Sequence, residues 1–193
     1  MYGSTSLRTG VPMIEASQTD LVVLAQRGDL QALGALYDTN YPVIYRYIRA
    51  RVGDSQLAED LTGDVFRRML TGLPQFRPMG LPFRAWLFRI AHNVVADNYR
   101  EESRHMSVDL QETEYESKKV DDPASVVAQK LTMEEAHKAL GELDASQRDV
   151  LMLRFLSGLS LQEVAHALNR TEDSVKALQR RGLAALRVNV AQE

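Results

Sequence analysis

The 193-residue chain predicts an all-α protein of two small helical domains, an N-terminal bundle and a C-terminal helix-turn-helix bundle, joined by a flexible acidic linker. Three observations predict this. Apolar residues recur at helical spacing in almost every patterned segment, and no run shows the alternation of a half-buried strand. Gly, Pro, Ser, Thr and Asp punctuate those segments where helices begin and end. Residues 101–122, EESRHMSVDLQETEYESKKVDD, then break the composition, with eight acidic and three basic side chains and no apolar stripe. That stretch carries a charge of −5, and the rest of the chain, with 20 basic and 18 acidic residues, carries +2. The formal net charge of −3 therefore comes from the connector, and either domain is free to meet a polyanion.

Taken in order, residues 1–18 show no pattern and read as a disordered tail. Thr19-Asp20 caps a short helix from Leu21 to Gln26, which Gly28 stops. Asp29 opens a longer helix through Leu33, Leu36 and Tyr37, with a second piece past Pro42 to Arg51. Gly53-Asp54-Ser55 breaks it, and a third helix runs from Gln56 to about Leu70, ended by Gly72-Leu73-Pro74. QFRPMGLP, residues 75–82, is a loop, after which Pro82 suits the first turn of a helix over Phe83 to Arg100. These elements make a domain over 19–100. Beyond the linker, whose 22 residues span at most ~70 Å extended, a domain over 123–193 follows. Its first helix starts at Asp122-Pro123 and runs to about Leu140, a second is capped within Ser146–Asp149 and stops at Gly158, and a helical pair comes last.

Composition removes several classes of function. Hydrophobic residues are 45% and charged residues 25%, as in ordinary globular proteins. No apolar run approaches the roughly 18 residues of a membrane span, and MYGSTSLRTG lacks the basic and apolar blocks of a secretory signal, so a cytoplasmic protein without membrane insertion is expected. The absence of cysteine excludes disulfides and thiolate metal sites. His92, His105, His137 and His166 are too scattered for a metal-binding helix, and no nucleophile elbow, phosphate loop or dinucleotide fingerprint is present. No catalytic residue, metal or cofactor is therefore assigned.

The final helical pair carries the first functional signal. Ser160-Leu161-Gln162-Glu163 is a capping box, and Leu161, Val164, Ala165 and Leu168 form one apolar face. Ala165 is small enough to let the next helix approach. Asn169 tolerates a left-handed turn, and Thr171 can cap the second helix. There Val175, Leu178, Gly182 and Leu186 face inward, leaving Asp173, Lys176, Ala177, Arg180 and Arg181 outward. Residues 170–187 hold five basic and two acidic side chains, +3. A crossed helix with a short turn and a basic outer face has the geometry of a major-groove reader. The competing reading, two core helices with a solvated face, is disfavoured by the capped start, the small Ala165 and the basic run. Because +3 is a weak patch, such a protein needs a larger partner to hold it on DNA.

The second signal is FRPMGLPFRAWLFRIAHNVVADNYR, residues 76–100, which interleaves aromatic residues with Arg77, Arg84, Arg89 and Arg100. Phe83, Leu87, Ile90, Ala91 and Val94 fall on the buried side of its helix, and Arg89, Asn93, Ala96 and Arg100 on the other. A side-chain amide such as Asn93 suits the edge of an unpaired base, and aromatics beside arginines offer stacking of about 1–3 kcal/mol per base. Aromatics at helical spacing are more often core, however, and Phe88, Tyr99 and part of Trp86 are expected to pack. Spacing alone does not favour the DNA reading of this helix.

From about Asp20 to Arg187, linker excepted, these segments resemble a bacterial sigma factor of the extracytoplasmic-function group. LAEDLTGDVFRRML is similar to the helix by which that family grips core RNA polymerase, FRAWLFRIAHNVVADNYR to its promoter-melting and minus-10-reading helix, and residues 143–187 to its minus-35-reading domain. The resemblance implies polymerase contact by Asp60, Asp64, Arg67 and Arg68. It implies capture of unpaired minus-10 bases by the loop at 76–81, including Phe76 and Arg77, with Arg84, Trp86, Arg89, Asn93, Asp97 and Arg100. It further implies duplex reading by Arg170, Ser174, Lys176, Ala177, Arg180 and Arg181, and control by a separate anti-sigma protein. Three departures stand out. Gly63 replaces a longer polar residue, at about 1 kcal/mol to its helix, Asn169 replaces a glycine, and Leu178-Gln179 inverts a polar–apolar order, leaving the rotation of the recognition helix open. Two rivals predict different behaviour: a free-standing helix-turn-helix regulator binds duplex tightly without polymerase, and a helical enzyme with a DNA-binding tail has a polar pocket with perturbed carboxylates in its first domain.

Overall fold

The computed structural model describes residues 18–78, 82–106, 140–141 and 143–190. The tail through residue 17, most of the linker and nearly all of the helix expected before Leu140 lie outside the described residues. Within them there are seven helices and no strand: α1 (Gln18–Gln26), α2 (Leu30–Val52), α3 (Ser55–Gly72), α4 (Phe83–Met106), α5 (Ala145–Leu151), α6 (Leu161–Ala167) and α7 (Glu172–Val190). A 3-10 turn at Leu73–Gln75 follows α3, and a π turn at Met152–Leu156 continues α5.

Helix boundaries sit where local chemistry sets them. Asp29 accepts from the backbone N–H groups of Gln31 and Ala32 at 2.9 and 3.0 Å, and Gly53 ends α2 at φ 75°, its N–H returning to the Arg49 carbonyl. Asp54 caps α3 through Leu57 N at 2.7 Å. Several boundaries differ from expectation: Thr19 and Asp20, expected to cap the first helix, lie inside α1. α2 runs unbroken through Pro42, where two pieces were expected, because its stripe of Leu36, Asn40, Ile44, Tyr47 and Ile48 stays buried on both sides of the proline. α4 continues to Met106, six residues into the expected linker. In addition, Asp144, rather than a residue of Ser146–Asp149, is the N-cap of α5, accepting from Ser146 N at 2.9 Å.

α1 to α4 form a bundle whose fully buried centre includes Leu36, Ile44, Tyr47, Ile48, Val65, Leu87 and Phe88. Each such side chain removed from water contributes about 1.5–3 kcal/mol. One buried polar group is satisfied in place: Asn40 donates to the Leu36 carbonyl at 2.8 Å and accepts from Gln18 Nε2 at 3.3 Å. α5, α6 and α7 close a smaller core around Val150, Leu153, Leu159, Val164 and Val175. The two cores join: α6 packs along α4, and the π turn meets α2. The domains, expected as separate heads on a tether, are docked against one another.

Candidate nucleic-acid interface

The helix-turn-helix is built as its residues dictate. Ser160 Oγ accepts from Glu163 N at 3.2 Å while Glu163 returns a carboxylate oxygen to Ser160 N at 2.6 Å, completing the capping box. Asn169 is the one non-glycine residue with positive φ among the described residues, at 52°, and Thr171 Oγ1 accepts from Ser174 N at 3.2 Å. Val175, Leu178 and Gly182 are buried, which settles the rotation of α7. Gly182 lies so close to α5 that a Cβ there would meet Leu151 Cδ1 at 3.0 Å. Gln179 turns inward enough to accept from Arg154 Nε at 3.3 Å. Lys176, Arg180 and Arg181 are exposed along one side, Ala177 and Ser174 are half-buried at its edge, and Arg170 reaches Ser146 Oγ at 3.0 Å. Lys176 pairs with the exposed Asp173 at 3.3 Å.

The α4 residues separate into three groups. Phe76 is 8% exposed, with its ring on Phe83 and Trp86 at centroid distances of 5.7 and 4.8 Å. Expected as a base-capturing residue of the loop, it lies among the buried residues of the bundle. Trp86 is half-buried between these rings and Gly72, where a Cβ would meet its Cζ2 at 3.0 Å. Arg77 is tied to the carbonyls of Pro74 and Phe76 at 3.1 and 2.9 Å, and residues 79–81 of the loop are outside the described ones. Tyr99, expected to pack, is 37% exposed; its hydroxyl donates to the Arg51 carbonyl and its ring lies under the Arg51 guanidinium. Asn93 and Arg100 are exposed.

Asp97 links two sets of candidates. It accepts Arg68 Nη1 of α3 at 3.0 Å and Arg100 Nη1 of α4 at 3.2 Å, so a residue expected at the minus-10 strand shares an ion network with one expected at polymerase. Asp60 is exposed, and Asp64 pairs with Arg67 at 2.7 Å along the same helix. Beside α3 runs an aromatic ladder, Tyr37, Tyr41 and Tyr45, with Phe66 4.5 Å from Tyr37. Burial, then the neighbouring Tyr37, Glu59 and Tyr45, push the Tyr41 hydroxyl pKa up.

Between the domains lies a group that the sequence reading did not single out. Asp149 of α5, 7% exposed, forms an ion pair with Arg51 at the end of α2 and stands 3.7 Å from His92 Nδ1 of α4. Burial, then the positive charges of Arg51 and Arg170, lower the His92 pKa to about 4. Tyr47, wholly buried beneath, is pushed up to about 12 by burial and is 3.5 Å from the same ring nitrogen. Arg84 extends over the Phe88 ring to donate to the Ser157 carbonyl, and Arg89 lies near enough to His166 to reinforce the lowering of its pKa by burial. No periodicity signals this cluster, since its members are 57 and 98 positions apart.

Comparisons with known proteins agree with this architecture. Sigma-70 region 2 matches residues 36–105, and Sigma-70, region 4, matches residues 139–188. The chain is 36% identical over 171 residues to the ECF RNA polymerase sigma factor BldN of Streptomyces coelicolor, covering 89% of this chain and 65% of BldN. It is 34% identical over 180 residues to the ECF RNA polymerase sigma factor SigD of Mycobacterium tuberculosis, covering 90% and 84%. Among solved structures, CnrH in complex with the cytosolic domain of CnrY superposes with a TM-score of 0.71 at 25% identity, over 93% of this chain and 99% of that one. No helix of the described residues is long and apolar enough to cross a membrane. With both sigma regions in order and relatives of this identity matched over most of their length, the chain belongs to the extracytoplasmic-function (ECF) RNA polymerase sigma factors.

Proposed function

We propose that this chain is a promoter-specificity subunit of bacterial RNA polymerase: it binds the core enzyme, reads the minus-35 and minus-10 elements and captures unpaired bases as the duplex opens, performing no covalent chemistry itself. The observation that carries this reading is the coexistence on one chain of a region 2 bundle and a region 4 helix-turn-helix. α7 offers Lys176, Arg180 and Arg181 to a duplex, with Arg170, Ser174 and Ala177 at the margin, a basic face of the kind that contacts phosphates and groove edges. α4 offers Asn93 and Arg100, with Arg84, Trp86, Arg89 and Asp97 around them, to single-stranded DNA. Phe76 supports this surface from beneath. α3 offers Asp60, Asp64, Arg67 and Arg68 to core polymerase. A +3 recognition segment binds DNA weakly by itself, which is why the polymerase has to supply the remaining affinity. The solved structure of CnrH is of its complex with the cytosolic domain of CnrY, and an anti-sigma partner is proposed for this chain too, within a cytoplasmic setting.

Run-off transcription on a genomic promoter library, with purified core polymerase and with or without the chain, tests the reading. A new set of promoter-specific transcripts is expected on addition. No such transcript, together with no complex with core, would remove it; tight sequence-specific duplex binding without polymerase would favour a free-standing regulator.

A further inference from the structure

Docking the C-terminal helices on α4 brings together groups that neither domain needs for its own fold. Asp149 forms its ion pair with Arg51 and stands 3.7 Å from His92 Nδ1, and among the described residues it has no ion pair within its own domain. Released from the interface, this carboxylate would simply be a solvated residue on α5. The Arg51 side chain is 8% exposed, and Arg84, in the helix proposed to meet the minus-10 strand, spends its guanidinium on the Ser157 carbonyl. Arg51 Nε, Arg84 Nε and Ser157 Oγ are buried without a hydrogen-bond partner. Water would satisfy these atoms on opening, and a buried ion pair has little net stability over its solvated parts. The polar part of the contact is thus specific in geometry while adding little net stability of its own.

We infer that Asp149 is an intramolecular latch: with Arg51 and His92 it holds the C-terminal helices over the α4 side that carries Arg84 and Arg89, keeping the isolated chain closed toward promoter DNA until this carboxylate is released. The consequence for transcription rests on the promoter-specificity reading above; the latch itself does not. Removing one member leaves the other charge buried and unpaired, which displaces such equilibria by on the order of a hundredfold or more. Core polymerase, by separating the domains, then has to release this ion pair together with the apolar contact of α6 on α4.

The chain has no cysteine, so paired spin labels at Thr39→Cys in α2 and Ala184→Cys in α7, both exposed, read the domain separation of the full chain by pulsed electron resonance. One short, narrow distance is expected for the parent and a longer, broad population for Asp149→Asn. Arg51→Gln, placed in the other domain, guards against local unfolding of α5. It should open the chain equally, and the double variant should be no more open than either single one. Helicity measured by circular dichroism should match the parent throughout. At limiting protein, Asp149→Asn should also raise the yield of promoter transcripts severalfold. A parent already broad, or both single variants retaining the short distance with helicity intact, overturns the latch. Absence of any transcript from parent and variants strikes the promoter-specificity reading, while the distances still decide the latch.

Discussion

Two glycines on two helices permit a test in which the same chemical change has opposite consequences. Gly63 lies on the exposed side of α3, and a Cβ built there meets nothing within 4 Å. Gly63→Ala should therefore return the helix propensity lost to glycine, about 1 kcal/mol, and raise the midpoint of thermal unfolding by roughly 2–4 °C for a chain of this size. Gly182 is buried against α5, where the new Cβ would lie 3.0 Å from Leu151 Cδ1 and 3.3 Å from both Leu151 Cγ and Gln147 Cβ. The methyl can rotate away. Leu151 Cγ moves only with a change of rotamer in the packed core and Gln147 Cβ only with the backbone, and such overpacking costs about 1–3 kcal/mol. Set against the same propensity gain, Gly182→Ala should be neutral to about 2 kcal/mol destabilising. Trp86, the single tryptophan, sits against Gly72 in the first bundle, so its fluorescence follows that domain while circular dichroism follows the whole chain. Urea and thermal melts of the parent and both variants supply the comparison. If Gly63→Ala lowers stability, the open surroundings of Gly63 are wrong; if Gly182→Ala raises it as much as Gly63→Ala, the close approach of α7 to α5 is wrong.

Other expectations concern the DNA surfaces and the interdomain cluster. Asn93→Ala should slow promoter opening about tenfold, the effect of losing a base-edge hydrogen bond of about 1 kcal/mol or slightly more, and leave polymerase affinity unchanged; loss of polymerase binding would place Asn93 elsewhere. Arg180→Ala should weaken duplex recognition by about 1–3 kcal/mol while sparing transcription from a pre-melted template, and equal loss on both templates would refute its assignment. For His92, lowered to about 4 by burial and by the Arg51 and Arg170 charges, the docked state favours the neutral ring. The released chain takes up the proton more readily, so the stabilisation is complete above about pH 6.5 and falls as the pH drops toward 4, by at most about 1.4 kcal/mol per unit. Denaturation between pH 7.5 and 5, repeated with His92→Gln, should show a slope that the variant loses; a flat parent profile contradicts the assignment.

Much of the fold could be read from spacing because its determinants are local. Asp29, Asp54 and Ser160 cap helices with atoms two or three residues away, and Gly28, Gly53, Gly158 and Asn169 turn the chain with positive φ. The inward stripe of α7 followed from periodicity, and with it the exposure of Lys176, Arg180 and Arg181. Aromatic residues were harder. Phe76 has the composition of a stacking platform and the environment of a core residue, while Tyr99 remains at the surface under a cation. Whether a ring is covered depends on what the chain brings over it, and a loop sequence does not encode that by itself.

Chain order and local pattern determined the helices, their caps, the basic outer face of α7 and the placement of negative charge in the connector, since each depends on neighbours within one or two turns. Only tertiary structure decided that the two domains lie against one another, with Asp149 enclosed by Arg51 and His92 and Arg84 drawn to Ser157. The reason is physical: a carboxylate 98 positions from its guanidinium has no preferred partner until packing excludes water from both, and electrostatic attraction becomes selective only in that desolvated setting.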